Sequence, residues 1–132
     1  MDRLFLDANV LFSAAYREDA GVTRLWKVPD ATLVTCEYAI EEARRNLSEP
    51  AQIGRLEKLL ADVERAASIS LAEHQRQGIQ LPAKDWPILG SAVGTNSTHL
   101  ITGDVKDFGP YFGKKALGVL VLPPAQYLKA NS

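Results

Sequence analysis

The stretch Arg3-Leu4-Phe5-Leu6-Asp7-Ala8-Asn9-Val10-Leu11 decides the fold of this chain. Its first four residues form a short, largely apolar run that ends at Asp7, and the residues after Asp7 continue with the apolar spacing of a helix. This pattern predicts a buried strand that turns directly into a helix. In parallel α/β sheets, ligands bind outside the carboxyl ends of the strands, so we expect Asp7 at a ligand-binding edge.

Short apolar runs alternate with segments of helical periodicity along the rest of the chain. This alternation indicates a three-layer α/β fold around a central, mostly parallel sheet of about five strands. Further strands are predicted at residues 32–35, 98–102 and 117–122, with a short edge strand at 67–70. Helices are predicted at residues 22–27, 37–47, 51–65, 71–77 and 86–95, and after Pro124.

The composition indicates one domain that spans residues 1–132. Hydrophobic residues make up 46% and charged residues 23%, which is typical of compact rather than disordered chains. The single cysteine, Cys36, cannot form an intramolecular disulfide, which favours a reducing compartment. The sequence has neither an apolar signal segment nor a run of about 18 apolar residues, so we expect a cytoplasmic protein with no membrane partner.

The net charge and the motifs of the sequence argue against several classes of function. A net charge of −1 gives no general basic field of the kind that binds nucleic acid without sequence preference, so a polyanionic ligand must be held by local cations. His74 and His99 are isolated and have no HExxH spacing, which argues against zinc, and no glycine-rich phosphate loop is present. The candidate local cations are Arg17, Arg24, Arg44, Arg45, Lys106, Lys114 and Lys115.

Four short acidic patches lie far apart in the sequence, each beside a predicted strand end or within or just before a predicted helix. If the sheet brings them together, each pair of carboxylates repels by about 3 kcal/mol at roughly 5 Å and an effective dielectric of about 20. A hard divalent cation such as Mg²⁺ or Mn²⁺ would relieve this repulsion. The patches are Leu6-Asp7-Ala8-Asn9, Glu41-Glu42-Ala43-Arg44, Lys84-Asp85-Trp86-Pro87 and Thr102-Gly103-Asp104-Val105-Lys106-Asp107.

Each acid also has a purely structural interpretation. Asp7 and Asp85 precede predicted helices, where an aspartate side chain commonly accepts a hydrogen bond from a free backbone amide. Capping and metal binding are compatible. Periodicity does not choose between Glu41 and Glu42, since both lie off the apolar face of their helix, and Asp107 suits either a ligand or the cap of a turn.

Taken in order, these residues resemble the PIN domain over nearly the full length of the chain. Cys36 stands where that family more often has a serine or similar small polar residue. The resemblance rests on Leu6-Asp7-Ala8-Asn9-Val10-Leu11, on Glu42-x-Arg44-x-x-Leu47, on Asp85 before the helix with Ile88-Leu89-x-x-Ala92, and on Leu100-Ile101-Thr102-Gly103-Asp104-x-x-Asp107-Phe108.

The resemblance implies a compact α/β/α fold that cuts RNA, and the family includes the VapC-type toxins of toxin–antitoxin pairs. It implies hydrolysis of a phosphodiester by a metal-activated water with Mg²⁺ or Mn²⁺, RNA as substrate, and a protein antitoxin and a second copy of the chain as candidate partners. The implied catalytic residues are Asp7, Glu42, Asp85 and Asp104, and the implied metal ligands are Asp7, Asp85, Asp104 and Asp107, with Asp7 and Asp104 as the principal ones. Asn9 and Thr102 match positions that steer the carboxylates, and Arg44, Arg45 and Lys106 are the expected RNA contacts.

Two alternatives stay open. The first is a catalytically silent PIN-like domain that binds RNA or protein, although a silent module would be free to lose acids that repel one another. The second is a phosphoacceptor receiver domain. Receiver domains carry an acidic pair after the first strand and a lysine near the last one, whereas Asp7 stands alone here and residues 117–122 contain no lysine.

Overall fold

The computed structural model of the chain describes residues 1–131. The strands are β1 (Asp2–Leu6), β2 (Ala31–Cys36), β3 (Val63–Ala66), β4 (His99–Ile101), β5 (Lys115–Ala116) and β6 (Val119–Leu122). The helices are α1 (Ala8–Tyr16), α2 (Glu37–Asn46), α3 (Pro50–Leu60), α4 (Trp86–Gly94) and α5 (Pro124–Ala130). Short 3-10 helices occupy Gly21–Lys27, Glu73–Gln75, Ala83–Asp85 and Gly109–Tyr111.

Within residues 1–131 the strands form one six-stranded sheet in the order β3-β2-β1-β4-β6-β5. Every neighbouring pair is parallel except β5 and β6. The chain moves outward from β1 to β3 and then returns to the other side of β1 with β4. The strand order therefore reverses between β1 and β4, and the carboxyl ends of these two strands border a crevice of the type that binds ligands.

The predicted three-layer α/β/α fold with a mostly parallel sheet is confirmed. Leu4, Phe5 and Leu6 of the central strand β1 are completely buried, as expected for a strand covered on both faces. The sheet has six strands rather than about five, because the two residues of β5 form an antiparallel hairpin with β6. In the described part of the chain, no helix has both the length and the apolar character needed to cross a membrane.

Several predicted boundaries are wrong. The helix predicted at 51–65 ends at Leu60, and β3 follows at Val63–Ala66 in place of the edge strand predicted at 67–70. Pairing with β2 explains the difference, since Val63 lies opposite Leu33. The segment 71–77 contains only the short turn Glu73–Gln75, and 22–27 is a 3-10 helix rather than an α-helix.

The connection between β3 and α4 crosses closely over α4. Ile69 donates its backbone N–H to Ser91 Oγ at 2.8 Å, which fixes the segment against the helix. A Cβ atom added at Gly90 would overlap the carbonyl oxygen of Ile69. Glycine at residue 90 thus permits an approach between backbones that any side chain would prevent. This connection leads directly to Ala83–Asp85, so it helps to position Asp85.

We expect Gly90→Ala to lower the free energy of unfolding by about 1–3 kcal/mol, because the added methyl group overpacks this contact. The matched control is Gly54→Ala on α3, where a Cβ would meet nothing within 4 Å. The control should stabilise the protein by up to about 1 kcal/mol, since alanine favours helix over glycine. Urea denaturation measures both variants. An unfolding free energy of Gly90→Ala equal to that of the wild type would contradict the close approach.

Candidate active site

A cavity of about 380 Å³ opens at the carboxyl edge of β1 and β4. The four residues predicted to be catalytic all line it, although they come from distant parts of the sequence: Asp7, Glu42, Asp85 and Asp104. Asp7 follows β1, Asp104 follows β4, Glu42 lies on α2, and Asp85 immediately precedes α4. The fold therefore brings the four acidic patches to one place.

Asp7 caps α1 and also faces its neighbours across the sheet. Asp7 Oδ1 accepts a hydrogen bond from the Ala8 backbone N–H at 2.7 Å. Asp7 Oδ2 accepts from Thr102 Oγ1 at 2.8 Å and from Asn9 Nδ2 at 3.2 Å. Burial raises the pKa of Asp7, and its three hydrogen bonds oppose that shift. The capping role weighed for Asp7 is present, and it coexists with a place in the cavity.

Thr102 and Asn9 connect Asp7 to the loop after β4. Thr102 Oγ1 donates to Asp7 and accepts a hydrogen bond from the Asp104 backbone N–H at 3.1 Å. Asn9 Oδ1 accepts from the Gly103 backbone N–H at 2.8 Å. These two polar side chains touch the carboxylate and the backbone that carries Asp104. Such contacts fix the directions of acids around a site.

Asp85, Asp104 and Asp107 form the tightest acidic group among the described residues. One carboxylate oxygen from each lies within 4.8 Å of the other two, so the group could hold a metal ion. Asp104 Oδ1 accepts a hydrogen bond from the Asp107 backbone N–H at 3.0 Å. It is therefore Asp104 that caps this turn, which leaves the Asp107 carboxylate for the cluster. Asp107 also pairs with Lys84 Nζ at 3.3 Å.

Asp85 does not cap α4, because its side chain makes no hydrogen bond to the first turn of that helix. Its Oδ2 atom is buried and has no hydrogen-bond donor within residues 1–131. A buried carboxylate oxygen without a partner is costly, and either a cation or a proton relieves the cost. The residues around the cavity thus fit a cation held by oxygen ligands.

Without a cation, a proton on the Asp85 carboxyl relieves the cost of burying it. Burial first, and then the hydrogen bond that a protonated Asp85 shares with Asp107, raise the pKa of Asp85 to about 7. The same shared bond lowers the pKa of Asp107, and Lys84 lowers it further. The pKa values of these two neighbouring carboxyls therefore differ, with Asp85 the weaker acid and Asp107 the stronger. Such differences are common among the acids of active sites.

The polar face of α2 decides between Glu41 and Glu42. Tyr38, Glu42 and Asn46 recur every fourth residue and all line the cavity. Glu41 is exposed and pairs with Arg44 at 3.5 Å. Burial and then Glu42 raise the pKa of the Tyr38 hydroxyl, which keeps it protonated. The sequence pattern could not separate the two glutamates, because Glu37, Glu41 and Arg45 recur at the same four-residue spacing, and only the position of the cavity decides.

Known proteins resemble this chain in fold rather than in sequence. No protein-family model and no curated protein matches the sequence. Among solved structures, the chain is similar to a chain in the crystal structure of VapBC2 from Rickettsia felis bound to a DNA fragment from their promoter. The TM-score is 0.63 at 13% sequence identity, and the similarity covers 92% of this chain and 98% of that chain. This chain has a PIN-like fold. At this level of identity the similarity concerns the fold alone.

The cations of this PIN-like domain are arranged differently from the prediction. Arg44 is held by Glu57 at 2.5 Å, and that hydrogen bond raises the pKa of Arg44. Arg45 and Lys106 are exposed and stand outside the residues that line the cavity. Lys84, which was not among the predicted cations, lines the cavity and pairs with Asp107. The position of Lys84 next to Asp85 was the feature of the sequence that could have identified it as a cation of the cavity.

We expect the unfolding free energy of the metal-free protein to fall as the pH rises from about 4 to about 7. Over this range the folded state keeps a proton on Asp85, because its pKa is raised to about 7, whereas the unfolded state has released it. Asp85→Asn removes this titration, so the decline should become shallower, and Asp7, whose pKa is also raised by burial, contributes a remainder of the same sign.

The measurement is urea denaturation in EDTA at several pH values. Asp62→Asn is the matched control, since Asp62 is exposed and lies outside the residues that line the cavity. Parallel pH profiles for the wild type and Asp85→Asn would show that Asp85 titrates normally in the folded state.

Proposed function

We propose that this protein is a metal-dependent ribonuclease that hydrolyses phosphodiester bonds in RNA. The observation that carries the proposal is the buried Asp85 Oδ2, which has no hydrogen-bond partner within residues 1–131 and belongs to a group of carboxylates able to share one cation. Asp7 and Glu42 line the same cavity. The PIN-like fold and the similarity to a chain of the VapBC2 complex support this assignment.

Asp85, Asp104 and Asp107 would hold the metal ion. Carboxylate oxygens are hard ligands, which favours Mg²⁺ or Mn²⁺ over softer metals. When bound, such an ion makes a nucleophile from water near neutral pH and stabilises charge on the phosphate. Asp7 stays a candidate ligand through Oδ1, which accepts only the bond from Ala8 among the described residues and so retains a lone pair.

The remaining side chains orient these ligands and handle protons. Thr102 and Asn9 fix Asp7 Oδ2, so that the acid cannot rotate away from the cavity. Glu42 lines the cavity from α2, where it would orient a water molecule or accept its proton. Lys84 balances part of the negative charge through its ion pair with Asp107.

We further propose RNA as the substrate, the cytoplasm as the location, and a protein antitoxin and a second copy of this chain as partners. Support for an antitoxin comes from the similar chain, which belongs to a VapBC2 complex. Of the cations proposed to contact RNA, Arg45 and Lys106 are exposed, whereas Arg44 would first have to leave Glu57. A silent PIN-like module is the competing proposal, and a nuclease assay separates the two.

Asp7→Asn and Asp104→Asn should each reduce RNA cleavage at least about 100-fold, because a metal ion contributes several kcal/mol to stabilising the transition state. The assay uses a mixed single-stranded RNA pool with Mg²⁺ or Mn²⁺. Asp62→Asn serves as the control that loses an exposed carboxylate elsewhere. Equal cleavage by the wild type and both site variants would remove the enzyme proposal in favour of the silent module.

Mg²⁺ or Mn²⁺ should raise the melting temperature of the wild type, since a ligand that binds only the folded state stabilises it. At about 100 times the dissociation constant the gain is about 2.7 kcal/mol. Asp85→Asn and Asp104→Asn should lose most of the gain, and Asp62→Asn should keep it. A melting temperature that stays constant across millimolar metal would count against the metal site, whatever the nuclease assay shows.

A further inference from the structure

We propose that the cavity holds one unpaired nucleobase of the substrate strand, inserted between the rings of Phe12 and Tyr38 beside the acids. This inference rests on the proposed ribonuclease function and specifies which residues of the cavity would hold one base of the RNA. We call the part of the cavity that receives the base the base slot. Its residues are Phe12, Tyr38, Ala43, Asn46 and Ile88, all of which line the cavity.

Two helix faces form the walls of the base slot. On α1, Asn9, Phe12 and Tyr16 follow one another at three- and four-residue spacing, which places them along one face. This face starts at Asn9, which contacts Asp7, and leads away from the acids. On α2, Tyr38 and Asn46 line the same cavity, one helical turn before and after Glu42. The two aromatic rings therefore come from different helices that border one space.

The chemistry of the cavity favours a neutral, flat ligand in the slot. Its acidic end repels a phosphate unless a cation intervenes, but a nucleobase carries no charge. Ala43 and Ile88 are buried and give the slot an apolar floor, and Phe12 and Tyr38 are half-buried, so each exposes part of a ring. Aromatic side chains that border such a space stack on bases in proteins that bind single strands.

Asn46 supplies a polar group for the edge of the base. Its side chain is exposed at the mouth of the cavity, and Nδ2 donates to the Glu42 carbonyl oxygen at 2.8 Å. This bond fixes the amide and leaves Oδ1 and the second N–H available as acceptor and donor. Beyond the slot, the exposed ring of Tyr16 lies 5.3 Å from that of Phe12 and extends the aromatic surface outward. A base in a duplex has both faces covered by its neighbours, so only unpaired bases fit this arrangement.

The test uses a short single-stranded RNA and a series of derivatives in which one nucleotide at a time is replaced by an abasic ribose. We expect loss of the base at one position near the cleavage site to reduce kcat/KM by about 5- to 150-fold, the range of a stacked base. Phe12→Ala should reduce kcat/KM on the intact RNA by a similar factor. Combined with the sensitive abasic RNA, Phe12→Ala should cause little further loss, since both changes remove the same contact.

Two controls separate stacking from folding. Phe12→Leu keeps an apolar side chain but removes the ring, and it should keep the metal-induced rise in melting temperature while losing the preference for the base. Phe112→Ala removes a half-buried ring outside the residues that line the cavity, and it should retain the full preference. Fluorescence of 2-aminopurine at the sensitive position should be quenched by the wild type and not by Phe12→Ala, whether or not the RNA is cut.

The outcomes distinguish this inference from the proposed function. If the wild type cleaves intact and abasic RNAs equally at every position, the base slot is wrong and the ribonuclease assignment stands. The slot would then suit an apolar side chain of a partner protein. If the wild type cleaves nothing but quenches 2-aminopurine through Phe12, the slot is supported in a silent module. Absence of both cleavage and quenching overturns the slot together with the function on which it rests.

Discussion

The hydrogen bonds of Asp7 are the contacts on which the arrangement of the site depends. Its backbone N–H donates to the Ile101 carbonyl oxygen at 3.1 Å, and its Oδ2 accepts from Thr102 at 2.8 Å. These bonds join the end of β1 to the end of β4, where the strand order reverses. Thr102 in turn accepts from the backbone N–H of Asp104. The separation of two acids that lie far apart in sequence is therefore set by a continuous chain of hydrogen bonds rather than by flexible loops.

Burial of the Asp85 carboxylate lowers the stability of the folded protein. Nearly all buried polar atoms in proteins have a partner, yet Asp85 Oδ2 lacks one among the described residues. Lys84 reaches Asp107, and its side chain is 64% exposed, so solvent screens much of its effect on the cluster. Sites that break a local rule in this way are often functional. The unbalanced charge makes a cation the natural complement of the cavity.

The sequence predicts the structure best where the local residue pattern and the surroundings in the folded protein favour the same element. At β1 and α1 a buried run, a capping aspartate and a helical pattern coincide, and the structure has all three. The prediction at Val63 is wrong because its apolar side chain fits both a helix face and an edge strand, and only pairing with β2 decides. The choice of Glu42 over Glu41 likewise depends on what faces α2 across the cavity. That Asp85 Oδ2 has no partner among the described residues follows from its burial by distant segments, which no local pattern contains.

The charges also explain how a protein with a net charge of −1 could act on a polyanion. Arg44 is paired with Glu57 at 2.5 Å, and Lys84 is paired with Asp107 at 3.3 Å, so neither can take up a phosphate without first breaking an ion pair. A phosphate that approaches Asp85 and Asp104 is repelled until a divalent ion lies between them. Under the proposed function, the same ion is then required both for bringing a phosphate to these acids and for cutting the RNA there. Placement of the phosphate and cleavage should consequently share one dependence on metal, whereas the uncharged base and the exposed side chains of Arg45 and Lys106 would supply contacts that need no ion.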